Sequence, residues 1–326
     1  MMVPYVLRLL CICMAAFFLV NAALGLLVSL FSSTAIRIAE RMRARSAARF
    51  LLVLRLLPAA MGLGAVLALC IPSYLWLEPE SIAERVGWIG FALVLLALVT
   101  LSASFVRGLN AVVVSLRFHS AWRQISSLGH LSPEHPNTVI VEEEGPLLAL
   151  AGVFRPRLFI SESVLRVLTA EELEVALEHE NVHRSSRDNL KRLLLALSPI
   201  AIPFLSGFAL IEQSWAKLSE WAADDEAARG DANRALSLAT ALLRVARLGA
   251  GPRLSFLHTS LVAGDYDLSA RVERLLHLDV RRAETVRPSR YVVLVGGFCF
   301  AVCALILANG PAALSSVHRL LETFLR

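Results

Sequence analysis

Three stretches near the N-terminus decide what this chain can become. Val3 to Phe31, Phe50 to Trp76 and Trp88 to Phe105 are almost wholly apolar, and each is long enough to cross the roughly 30 Å hydrocarbon core of a bilayer as a helix. No water reaches the backbone there, so such runs satisfy their N–H and C=O groups internally and fold as spanning helices. The composition agrees: 56% of residues are hydrophobic and the mean hydropathy is +0.63, more apolar than a soluble globular chain. The first run lacks a basic leading segment and exceeds the apolar part of a usual signal peptide, which predicts an uncleaved span. Gly62 and Gly64 are expected to let helices approach closely, with Trp76 at an interface.

Arginines orient the bundle. Arg37, Arg41, Arg43, Arg45 and Arg49 fill the segment between the first two runs, the next loop carries Glu78, Glu80 and Glu84 against Arg85, and Arg107, Arg117 and Arg123 follow the third run. Cytoplasmic loops keep Lys and Arg, so the N-terminus is predicted outside, the first loop inside, the second outside, and everything from Arg107 inside. The net charge of +5 is explained by these anchors, and direct nucleic-acid binding is not expected. Cys11, Cys13, Cys70, Cys299 and Cys303 all lie in apolar runs without metal-ligand spacing to a histidine, which predicts buried thiols and neither a disulfide framework nor a nucleophile. Tyr291 to Asn309 reads as a final span.

The chemistry is concentrated in Thr169 to Asp188, which reads as one helix opened by a capping box, Thr169 with Glu172. His179 and His183 fall one turn apart, so two imidazoles can converge on one Zn²⁺ while Glu180 reaches the water that the metal polarises. Such a site needs a third ligand. In a second helical stretch, Glu212 to Arg229, Glu220 can complete a His₂Glu set, and Asp224, one turn on, can accept from the outer nitrogen of a ligand histidine. Asp225 and Glu226 read as a solvated face. His119, His130, His135, His258, His277 and His318 show no ligand spacing with one another and read as ordinary surface or packed histidines, His258 alone being open to a place near the site.

The HENVH run, Asp188 five residues after His183, and the E-W-A-A-D run from Glu220 to Asp224 resemble the gluzincin membrane peptidases. A Gly-Pro at Gly145, the G-V-F-R-P-R-L segment from Gly152, the L-T-A-E-E-L start at Leu168 and R-V-E-R-L-L from Arg271 are similar to the M56 family, the BlaR/MecR-type peptidases of bacteria, over roughly Val139 to Leu276. The related M48 family shares the two zinc motifs but fits the upstream strand less well. The resemblance implies a zinc metalloendopeptidase with one Zn²⁺ per chain, His179, His183 and Glu220 as ligands, Glu180 as catalytic base, and a bacterial cytoplasmic membrane location with the site on the cytoplasmic side. It implies a protein substrate such as a transcriptional repressor; an M48-like quality-control protease and a catalytically silent scaffold are the alternatives. The C-terminal penicillin-binding sensor domain of the BlaR-type proteins is not expected here, so the resemblance does not extend to a β-lactam receptor role; a homodimer or a separate sensor partner is the expected association.

Leu193 to Ile211 raises a conflict. By hydropathy it is a fourth span, yet it lies between His183 and Glu220, which must meet at one metal. A segment that enters and returns on the cytoplasmic side, broken at Pro199 and Pro203, resolves it. Thr138 to Glu143 and Val153 to Ser161 are predicted strands, the second demoted to a sheet edge by Pro156 and so open either to substrate pairing or to a purely structural role. Gly108 to Leu131, Asn233 to Leu248 and Leu268 to Leu278 are predicted helices, the last two for packing only. The expected architecture is therefore a mainly α, polytopic membrane protein: a three-span bundle over 1–107, a cytoplasmic gluzincin-type α+β zinc peptidase domain over 108–289 with the re-entrant hairpin at 193–211, a span at 290–309 and an amphipathic extracytoplasmic tail at 310–326.

Overall fold

The structure is a computed structural model that describes residues 5–77, 87–125, 138–142, 145–249, 259–260 and 268–277. The acidic loop from Glu78, the turn from Ser132, Cys299 and Cys303, His130, His135, His258 and His318, the expected span at 291–309 and the tail lie outside them.

Apolar sequence becomes long helix in the N-terminal third. Helix α1 (Tyr5–Leu30) leads through α2 (Ser32–Glu40) to α3 (Ala44–Ala65), which runs through a π-helical turn at Val66–Cys70 into α4 (Ile71–Leu77); α5 is Trp88–Ile125. Among the described residues, three stretches, Tyr5–Leu30, Ala44–Leu75 and Trp88–Arg117, are long and apolar enough to cross a membrane. Val6, Leu10, Leu27, Val53, Leu63, Phe91, Val99 and Phe105 stand exposed on their outer faces, a surface suited to lipid. The chain is thus a mainly α membrane protein. A Cβ at Gly62 would come 3.1 Å from the Phe17 ring, so this glycine does admit α1, whereas among the described residues nothing lies within 4 Å of a Cβ at Gly64. Helix α5 is continuous to Ile125, about 57 Å at 1.5 Å per residue, so the helix expected from Gly108 is the extension of the third apolar run and the boundary at 107/108 falls mid-helix.

Beyond it, β1 (Thr138–Val141), β2 (Leu148–Ala151), β3 (Arg157–Ser161) and β4 (Thr259–Ser260) form a sheet in the order β1-β3-β2-β4. β3 pairs parallel with β1 and antiparallel with β2, from Leu148 opposite Ile160 to Ala151 opposite Arg157. This overturns the edge reading of the Pro156 segment. Pro156 lies in the turn before β3, so its missing N–H costs the ladder nothing, and β3 is interior with no free edge for substrate to join. β2 has no β-branched residue and was not anticipated; burial on both faces holds it.

The remaining helices are α6 (Glu162–Val167), α7 (Ala170–Ser186), α8 (Asp188–Leu197), α9 (Gly207–Ala228), α10 (Ala232–Arg247) and α11 (Leu268–Leu276). One core joins Leu148, Leu150, Leu158 and Ile160 of the sheet to Val175 and Ala176 of α7, Ala227 of α9 and Leu238 and Leu242 of α10. A second joins Leu51 of α3 to Leu195 of α8 and Ile211, Trp215 and Leu218 of α9. Helix α9 therefore belongs to both, its first half packed on the apolar bundle and its second half in the sheet domain.

Leu193 to Ile211 is not one helix. α8 stops at Leu197, Ser198 to Ser206 is irregular, and α9 starts at Gly207. Three bundle helices grip the break: Asn21 Nδ2 donates to the Pro199 carbonyl at 3.3 Å, Arg107 to the Ser198 carbonyl at 3.1 Å, and buried Arg55 to Ser198 Oγ at 3.0 Å and Glu212 at 2.7 Å. A Cβ at Gly207 would lie 2.6 Å from Ser29 backbone atoms of α1. Gly207→Ala is therefore expected to cost about 1–3 kcal/mol by overpacking, measured by denaturation in detergent, while Gly64→Ala leaves stability nearly unchanged.

Candidate metal centre

The capping box predicted at the start of α7 is present: Glu172 N–H donates to Thr169 Oγ1 at 3.3 Å, and Thr169 N–H to Glu172 Oε2 at 2.9 Å. The helix buries Glu172, Val175, Ala176, His179, Glu180 and His183, spaced three and four apart on a single face. It ends at Arg187, whose φ of 55° and ψ of 42° are left-handed, and the chain turns at once into α8. That turn returns Asp188 to His183. Helix α9 is likewise closed by left-handed Arg229, which pairs with Glu178 of α7 at 2.8 Å.

The His179 and His183 Nε2 atoms lie 3.2 Å apart, and Glu220 brings Oε2 to 3.6 Å from the first and Oε1 to 3.6 Å from the second. An ion with tetrahedral bonds of about 2.1 Å separates its ligand atoms by about 3.4 Å. These separations bracket that value and the ligand atoms of the three residues lie within 4.8 Å of one another, which fits a Zn²⁺-sized cation; both Glu220 oxygens are buried without a hydrogen-bond partner, as ligand atoms would be. Glu180, next in sequence to His179, is also buried with both oxygens unpartnered.

Each histidine is oriented from behind. His183 Nδ1 is 2.7 Å from Asp188 Oδ2, and Lys191 holds the other oxygen at 2.6 Å. His179 Nδ1 is 3.1 Å from Asp224 Oδ1, the partner expected for it, although the approach lies off the ring N–H direction and the nitrogen has no aligned hydrogen bond. Sequence reading gave Asp188 no role; it lies past the helix end, and only the left-handed turn brings it back. Arg271 of α11 was missed altogether. Its Nε and Nη2 fork Asp224 at 2.9 and 2.7 Å, and Nη1 stands 3.3 Å from Glu220. So α11 is more than packing, and the R-V-E-R-L-L run was the signal. Asp225 is not simply solvated either, since Arg274 grips both its oxygens at 2.6 and 2.7 Å; Glu226 keeps an exposed pair with Arg45. His277, on the exposed C-terminal end of α11, takes no part.

Charge follows from this arrangement. Burial alone would lower the His183 imidazolium, yet Glu220 and Asp188 outweigh it and raise the group to about 10. Burial would raise Asp224, yet Arg271 and His179 hold it down at about 2, and Glu220 is likewise held well below the usual carboxylate range by the histidines and Arg271. A pocket of carboxylates that pulls protons onto imidazole is one that favours a cation, for which protons and metal compete. Burial pushes Glu180 the other way, up.

The supports predict their own effects. Asp188→Asn and Asp224→Asn should each weaken zinc affinity by roughly 10–100-fold in competition with a chelator. Asp225→Asn, which loses only a partly exposed ion pair, should change it little.

Against known proteins, 85 residues are 35% identical to a protease HtpX homolog from Archaeoglobus fulgidus. The match covers 26% of this chain and 25% of that protein, so the chain spans about a quarter of the relative it matches. No family model matches the chain. Over that stretch the chain is similar to a protein described as a protease.

Proposed function

We propose that this protein is an integral membrane zinc metalloendopeptidase in which His179, His183 and Glu220 hold one Zn²⁺ and Glu180 is the catalytic base. The observation that carries the reading is the buried meeting of His179 Nε2 and His183 Nε2, 3.2 Å apart, with the Glu220 carboxylate, whose Oε2 lies 3.6 Å from the first and Oε1 3.6 Å from the second, beside the unpartnered buried carboxylate of Glu180. A Zn²⁺ held by these residues would polarise water and the scissile carbonyl. Glu180 takes the proton of the attacking water and passes it to the leaving amine, a task suited to a carboxylate whose proton affinity burial has raised. Asp188 and Asp224 fix the ligand rings, and Arg271 pairs with both Asp224 and Glu220. His179, Glu180 and His183 are fully buried, so substrate entry requires the walls of the site to part.

The similarity to the HtpX homolog supports relatedness to M48 enzymes; the G-V-F-R-P-R and R-V-E-R-L-L runs are what support M56. The substrate on this reading is another protein. The site is cytoplasmic, because the arginine-rich segments flank it and the grip of Asn21, Arg55 and Arg107 on Ser198 and Pro199 suits a hairpin that enters and leaves on one side. Incubating the reconstituted chain with a peptide library tests the reading. New peptide termini should appear with zinc, vanish with a chelator and return on zinc addition; termini that persist in chelator would contradict it.

A further inference from the structure

A cavity of about 230 Å³ opens between the first turns of α3, the end of α7, and α8 and α9. None of His179, Glu180, His183 and Glu220 lines it, so it is separate from the place where a scissile bond would meet the metal centre. Its charged lining is Arg45, Arg49 and Lys191 against Asp188 alone. That carboxylate is already shared between Lys191 and His183. Among the described residues Arg45 pairs with exposed Glu226, and Arg49 makes no ion pair or hydrogen bond. Among the described residues the cavity thus keeps surplus positive charge, centred on Arg49. Leu52 and Trp215 add apolar wall beside these cations.

Position selects the ligand. Ala44 begins the candidate span Ala44–Leu75, so Arg45 and Arg49 lie in its first turns, where headgroups meet hydrocarbon. Basic pockets between helices at that level suit phosphate headgroups. We propose that this cavity binds the phosphate of an anionic phospholipid, with Arg49 and Lys191 on the phosphate oxygens and Leu52 and Trp215 against the glycerol and upper acyl chain. A phosphate is an acceptor on all sides and can take several cations at once, which matches three basic side chains converging from α3 and α8. Binding does not depend on the zinc reading. The Lys191–Asp188–His183 chain does, however, run from the cavity to the metal centre, so on that reading an occupied pocket would be felt at a ligand histidine.

The test uses the full chain in nanodiscs of phosphatidylcholine doped with phosphatidylglycerol, with retained lipid counted by native mass spectrometry after release into detergent. Phosphatidylglycerol should be retained selectively. Arg49→Gln, at an exposed position, should weaken retention about fivefold, and Arg49→Gln with Lys191→Gln further. Arg37→Gln, on the same basic segment but outside the cavity, should leave retention unchanged. Equal retention of both lipids, or equal losses in the Arg37 and Arg49 variants, would mean only a diffuse basic surface and overturn the proposal. So would displacement of lipid by millimolar inorganic phosphate, which would assign the pocket to a soluble anion, or displacement by an acidic peptide, which would assign it to a protein partner.

Discussion

Glu180→Gln should leave zinc bound and remove hydrolysis. The substitution keeps the shape of the side chain and touches no ligand, so metal content measured on the purified protein should equal that of the wild type. It removes the one group placed to take a proton from water beside His179, and general-base catalysis alone is worth roughly 10²–10⁴-fold. The site makes the effect large, because neither Glu180 oxygen has a hydrogen-bond partner that could substitute and burial excludes bulk water. His179→Ala differs in kind, since both zinc and activity should go. Turnover within a few-fold of wild type in Glu180→Gln would remove the assignment of the base.

Arg271→Gln should be the most destabilising single change in the sheet domain. The guanidinium is all but inaccessible and serves two buried carboxylates, Asp224 through a fork and Glu220 through the remaining nitrogen. Removing one side of a buried ion pair leaves uncompensated charge and costs about 3–5 kcal/mol. Arg271→Lys keeps the charge but loses the fork and should fall between. Zinc should recover part of the loss, because a cation on Glu220 supplies charge that Arg271 no longer does and binding to the folded state adds stability. Denaturation in detergent with and without zinc measures both effects; a cost under about 1 kcal/mol without metal would show that the carboxylates are not charged as described.

What sequence reading could reach was whatever depends on short spacing. The capping box, the one-turn separations of His179 from His183 and of Glu220 from Asp224, and the break at Pro199 and Pro203 are local rules of helix geometry. Asp188 is five residues from His183, yet its role hangs on Arg187 adopting a left-handed conformation, which nothing in an arginine announces. Arg271 is separated from Asp224 by 47 positions, and a pair that distant is fixed by packing of α11 on α9. Pro156 was misjudged by one residue, enough to turn an interior strand into an edge. β2 carries alternating Leu and Ala, a pattern helix and strand share, and only burial between β3 and β4 decides it.

The central claim, that His179, His183 and Glu220 hold zinc, is tested most directly by X-ray absorption at the zinc edge on the reconstituted protein with Glu220→Gln alongside. The expected wild-type spectrum shows about one zinc per chain with two imidazole nitrogens and oxygen ligands at about 2.0–2.2 Å, and Glu220→Gln alters that shell or loses the metal. A shell containing sulfur at about 2.3 Å, or a spectrum that Glu220→Gln leaves unchanged, would contradict it.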